Sequence, residues 1–83
     1  MTVQIAGYTM SVVNGEGGVV FSVEAASIST PADANYEQAM WDALDAMASY
    51  FDAAGDPVNY PEYYPFTPRL VRHEKEDVAL THP

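Results

Sequence analysis

The sequence predicts an α+β fold: a β-hairpin packed on one long amphipathic helix, followed by a Pro- and aromatic-rich extended arm with a short third strand. Three observations carry this. Two stretches of alternating apolar residues flank Asn14-Gly15-Glu16-Gly17-Gly18, the pattern of a hairpin. Apolar side chains recur at three- and four-residue spacing from Tyr36 to Ala54, the pattern of a helix with one buried stripe. Four prolines then fall between residues 56 and 68, which excludes a helix or a central strand there.

The first strand spans residues 2–13. Val3 and Ile5 alternate with Thr2 and Gln4, and beyond Gly7 the phase changes, so that Tyr8, Met10 and Val12 carry the apolar groups. A one-residue slip at a glycine predicts a β-bulge. Asn14-Gly15 tolerates positive φ and makes the turn. Over residues 19–28, Val19, Phe21, Val23 and Ala25 share one face.

Helix onset is placed at Ser29-Thr30-Pro31-Ala32-Asp33, with Thr30 as cap, Pro31 at the first helical position and Asp33 as an acid in the first turn. Gly55 is a natural left-handed terminator, and Asp56-Pro57 prevents continuation. Met10, Val12, Val19, Phe21, Val23, Met40, Leu44, Met47 and Phe51 are the predicted core.

The far side of the helix offers Asp33, Glu37, Asp42, Asp45 and Asp52 with no base among them. Such a face is either merely solvated or a negative surface for a basic partner. Trp41 falls at the edge of that face, either straddling the core boundary or standing exposed as an anchor. Tyr60, Tyr63, Tyr64 and Phe66 lie among the prolines. That many rings do not suit a free linker: they either close the core or anchor a partner. Arg69-Leu70-Val71-Arg72-His73 makes the possible third strand. The domain division expected is a compact ββα body over 1–55 and an arm with a charged tail over 56–83.

Charge sharpens that division. The chain has 83 residues, 12 acids against three bases, a net charge of −9 and no cysteine. Residues 1–68 hold nine of the acids and no Lys or Arg, whereas Arg69, Arg72 and Lys75 lie together beyond them. The balance argues against phosphate-backbone binding and against docking on an anionic membrane, and it favours basic partners. The N-terminal residues lack the pattern of a signal peptide, so the expected location is non-secreted: cytoplasmic, or incorporated in a virion.

Motifs for chemistry are missing. His73 and His82 lie far from any glycine-flanked serine, so no triad pattern is present. Asp52, Asp56, Asn59 and Glu62 do not follow the calcium-loop pattern. The glycine-rich turn joins two strands and has no lysine after it, so it is no phosphate cradle. The expectation is therefore a non-enzymatic structural protein without catalytic residues, metal or cofactor. It would bind copies of itself or another assembly subunit through Trp41, Tyr60, Tyr63, Tyr64, Phe66, Arg69, Arg72 and the acidic face. A small phage virion component, capsid-decorating or tail, has this anatomy. The alternative is an acidic DNA mimic that inhibits a nucleic-acid-binding protein.

Overall fold

The computed structural model describes residues 5–27 and 33–83. Its elements are β1 (Gly7–Val13), β2 (Val19–Ala26), α1 (Ala34–Ala54), a 3₁₀ turn (Pro61–Tyr63), β3 (Thr67–His73) and β4 (Asp77–Ala79). The four strands form one antiparallel sheet in the order β2-β1-β3-β4, and α1 packs on one face of it over β3 and β1. The α+β prediction holds, and the third strand is joined by a fourth.

Alternation beyond Gly7 sets the faces. Tyr8 and Val12 are buried under the helix, with Met10 half-buried between them. Thr9, Ser11 and Val13 point to the opposite face, because successive strand residues alternate. The register slips between Val12 and Val13: Val12 pairs with Phe21 and Val13 with Val19, leaving Val20 as the extra residue. This slip lies at the far end of the strand, where none is expected, whereas the change of phase at Gly7 is present: Ile5 and Tyr8, three residues apart, both enter the core. Gly7 has a further use: a Cβ there would stand 2.7 Å from the Ala25 carbonyl oxygen, so only glycine admits that approach of β2.

The helix cap is Asp33, whose carboxylate accepts from the backbone N–H groups of Asn35 at 2.8 Å and Tyr36 at 3.2 Å. The expected Thr30–Pro31 start lies outside the described residues, as do Thr2, Val3 and Gln4. At the other end Gly55 is extended (φ −90°, ψ −168°) rather than left-handed, so the helix stops without the expected terminator geometry.

Ile5, Tyr8, Val12, Met40, Trp41, Leu44, Ala48 and Leu70 form the buried cluster, with Met10, Phe21, Met47 and Phe51 packed against it. Two predicted core residues are not in it: Val19 and Val23 are 61% and 43% exposed. Val19 lies beyond the register slip and pairs with Val13, so the bulge turns it away from the helix side; for Val23 the reason is lateral. The backbone of α1 does not reach β2, so the helix-side face of that strand extends beyond the helix's cover.

The C-terminal segment shares the sheet with the hairpin. β3 pairs with β1 over its full length, from Gly7↔His73 to Val13↔Thr67, and Leu70 enters the core. The sequence division at residue 55 therefore falls between elements that share one sheet and one core. Pro68 is tolerated because β4 pairs only with Val71, Arg72 and His73. At Pro68 one side of β3 is still a sheet edge, where a missing N–H costs nothing.

Between α1 and β3 the proline segment is strapped at two points. The Gly15 N–H donates to the Tyr63 carbonyl at 2.8 Å. The Phe66 N–H donates to the Asp52 carboxylate at 3.1 Å. A Cβ at Gly15 would lie 2.6 Å from both the Glu62 and Tyr64 carbonyl oxygens, so the hairpin turn and the strap meet only because that residue is glycine. Phe66 then packs against Phe51 and Tyr64, with ring centroids 5.5 Å and 5.0 Å away. The Tyr64–Pro65 peptide is cis.

Candidate interaction surface

The residues singled out in the sequence separate into three places. Trp41 is 4% exposed and belongs to the core; the exposed-anchor reading is corrected. Its ring lies 4.5 Å from that of His82, and His82 Nε2 is 2.7 Å from Asp45 Oδ1. The last residues of the chain thus cover the indole. His82 is held above the usual imidazole range, first by the Pro83 carbonyl that its Nδ1 meets at 2.8 Å and next by Asp45.

The acidic face is largely spoken for. Asp33 caps the helix, and Asp42 accepts from the Gln38 side-chain amide at 2.9 Å. Asp45 holds His82, and Asp52 holds the Phe66 amide. Glu37 reaches inward: its Oε2 accepts from the Tyr8 hydroxyl at 2.7 Å and from Arg72 Nη1 at 2.9 Å. Burial and then Glu37 push the Tyr8 phenol well above its ordinary range. Glu37 likewise raises Arg72, so both donors keep their protons. Arg72 Nε lies 2.6 Å from Glu74 Oε1 without directed hydrogen-bond geometry; that contact is charge attraction. Arg72 is thus a half-buried internal partner, while Arg69 is exposed, opposite Ser11 on the face away from the helix.

A polar cluster that sequence reasoning missed crosses all four strands. Thr9 Oγ1 is 2.6 Å from His73 Nε2 and 2.8 Å from Glu24 Oε1, and His73 Nδ1 is 2.9 Å from Asp77 Oδ1. The order hydroxyl, imidazole, carboxylate matches that of a nucleophile triad. When the Thr9 proton goes to Glu24, the hydroxyl is free to accept from Nε2–H while Nδ1–H donates to Asp77. An imidazole donating from both nitrogens is the cation, the form favoured by a pKa raised first by the Asp77 bond and then by the charges of Asp77 and Glu24. In that form the imidazole takes no proton from Thr9. The cluster works as a clamp across β2, β1, β3 and β4. Nothing local in the sequence signals it, since it requires the Gly7↔His73 register.

What remains open is the flank formed by β2. Among the described residues its only strand neighbour is β1, and its outer edge has no backbone partner. Val19, Val20 and Val23 are exposed along it. Beside Val20 opens a groove of about 410 Å³ lined by Asn14, Val20, Tyr60, Tyr63, Tyr64 and Phe66. The exposed Tyr60 and Tyr63 rings are 6.2 Å apart on its wall. The four aromatic residues picked out in the sequence thus line one surface with a strand that the sequence placed in the core. No cluster of three or more potential metal ligands occurs among the described residues, and no helix is long and apolar enough to cross a membrane.

Comparison with family models, curated protein sequences and solved structures returns no match to this chain.

Proposed function

We propose that this protein is a non-enzymatic interaction subunit of a larger protein assembly, and that it docks through the outer edge of β2 and the adjoining tyrosine groove. A virion is one such assembly. The observation that supports this reading is the long edge of β2, which has no backbone partner among the described residues. Natural sheets blunt their edges with short strands, Pro, charged residues, bulges or covering elements. The β4 edge follows that rule, with three residues next to Glu74, Lys75 and Glu76. The β2 edge follows it less closely: it is eight residues long, Val-Val-Phe-Ser-Val-Glu-Ala-Ala, without Pro or Lys, and its guards are the bulge at Val20 near one end and the single charge of Glu24.

This moves the docking surface from the acidic helix face to the hairpin and keeps, of the C-terminal arm, the aromatic residues of the groove. β3 and β4 pair within their own chain, which removes the support for an arm that laces neighbours. The DNA-mimic alternative draws less support, because all five acids of the helix face have bonds inside the chain.

A photo-cross-linking residue at Val23, compared with one at the exposed helix position Ala46, tests the reading in the native host. A discrete covalent partner from position 23 and none from position 46 is the expected result. No adduct at 23, or the same adducts at both, overturns it.

A further inference from the structure

We infer that the occupant of the β2 edge is a basic amphipathic β-strand of another protein, antiparallel or parallel to β2, with apolar side chains on the helix side and Lys or Arg on the other. This rests on the reading of β2 as a docking surface and names the chemistry of what docks there.

The backbone comes first. An open strand edge presents alternating N–H and C=O groups, and only another extended segment matches that spacing. Side chains then decide which segment. Phe21, Val23 and Ala25 pair with Val12, Met10 and Tyr8, so they lie on the helix side of the sheet. Phe21 and Ala25 are half-buried against the core, and Val23 is 43% exposed beside them. A new strand places alternate side chains along this row, so those must be apolar to bury it. On the opposite face β2 presents Ser22 and Glu24, across from Ser11 and Thr9. The new strand's other side chains fall beside Glu24, which accepts from Thr9 and lies 3.6 Å from His73 yet keeps its side chain 74% exposed, so a cation is favoured there and an acid is repelled.

Charge decides between a second copy and a foreign strand. Two copies of β2 running antiparallel about Ser22 would set Phe21 opposite Val23 on the apolar face. They would also bring together two bodies of charge −9, and β2 carries no Lys or Arg to offer Glu24. A basic strand satisfies both faces and is drawn in by the field of the whole chain. The groove at Val20 continues the same path: a Lys or Arg leaving the edge there meets the faces of Tyr60 and Tyr63, which attract cations.

The probe is a capped, labelled peptide of alternating Lys and Val, with the Glu–Val peptide as control, read by fluorescence anisotropy on the full chain. The Lys–Val peptide should bind at least about tenfold tighter, and its affinity should fall as salt rises. Val23→Lys should weaken it about tenfold or more by charging the apolar row, while circular dichroism and the urea midpoint stay unchanged because Val23 is exposed. Should Val23→Lys perturb the fold, Val20→Lys takes its place. Equal affinity for both peptides, or binding indifferent to either variant, overturns the inference. So does a dimer by light scattering that Val23→Lys dissociates, which would make the occupant a second copy. A cross-linked partner at position 23 with no preference for the basic peptide sinks this inference alone; no adduct and no binding sink the docking reading as well.

Discussion

Replacing Glu37 is the most informative perturbation of the fold. Its Oε2 is the acceptor for the Tyr8 hydroxyl at 2.7 Å and for Arg72 Nη1 at 2.9 Å, and it ties the first turns of α1 to β1 and β3. Tyr8 is fully buried, and the side chains of Arg72 and Glu37 are 20% and 16% exposed. Glu37→Leu orphans the phenol O–H inside the core, at roughly 1–3 kcal/mol for a buried donor without a partner. It also removes one of two carboxylates from a half-buried guanidinium. Because Glu74 remains at 2.6 Å, that loss is smaller, about 1 kcal/mol. The sum is about 2–4 kcal/mol, a large share of the roughly 4–12 kcal/mol expected for a domain of this length. Tyr8→Phe alone removes the donor along with its need for a partner and should cost only about 1 kcal/mol. Urea unfolding of the single and double variants closes a cycle. Glu37→Leu should be distinctly less damaging in the Tyr8→Phe background, by about 1 kcal/mol or more. Strict additivity, or a Glu37→Leu loss below about 0.5 kcal/mol, would refute the account of Glu37 as the acceptor that makes a buried tyrosine tolerable.

Three further outcomes follow from the packing and the charges. Leu70→Ala should cost about 2–5 kcal/mol in urea unfolding, since Leu70 is 1% exposed in the main cluster; a loss typical of a tail residue, under about 0.5 kcal/mol, would show that β3 does not fold in cis. Gly15→Val should weaken the fold more than Gly18→Ala, because at Gly15 the obstruction is the backbone carbonyls of Glu62 and Tyr64, while at Gly18 it is the Asn14 side chain; equal urea midpoints would contradict the strap. His73 and His82 both have folded-state pKa values raised above the ordinary imidazole value of 6.5. Their contribution is therefore complete below about pH 6.5 and lost as pH rises through the raised values. Fluorescence of Trp41, the single tryptophan, should report the His82 step on raising pH from 6 to 9 at about 25 °C, and His82→Ala should abolish that step; a flat trace in the parent chain would count against the His82–Asp45 contact.

How much of this was legible beforehand depends on how local the signal was. The hairpin, its turn and the helix stripe are written in neighbouring residues, and Met40, Leu44 and Val12 are buried as their periodicity requires. Lateral extent was not legible. Alternation says which side of β2 is apolar, but not that α1 would sit over β1 and β3 and leave Val23 uncovered, nor that a bulge at Val20 would turn Val19 off the helix side. Pro68 argued against a central strand, and only the short reach of β4 reconciles it with one. Trp41 shows a related gap: its helical neighbours are acidic, yet Leu80 and His82, contributed from the far end of the chain, help to bury it. Of the proposed surface, Tyr60, Tyr63, Tyr64 and Phe66 stood out by composition, whereas the strand beside them passed for core.

The pairing of β1 with β3 has a consequence for the order of events during synthesis. β1 occupies an inner position, yet its second neighbour lies some sixty residues later, with Gly7 meeting His73. The hairpin and helix are complete in the emerging chain while β1 still shows an unsatisfied edge and the Leu70 site is empty. Long-range closures of this kind are slow and leave strands exposed meanwhile. For that interval the nascent hairpin has two open edges, one on β1 and one on β2. Arrival of residues 67–73 closes the first and leaves the second as the edge without a strand partner among the described residues.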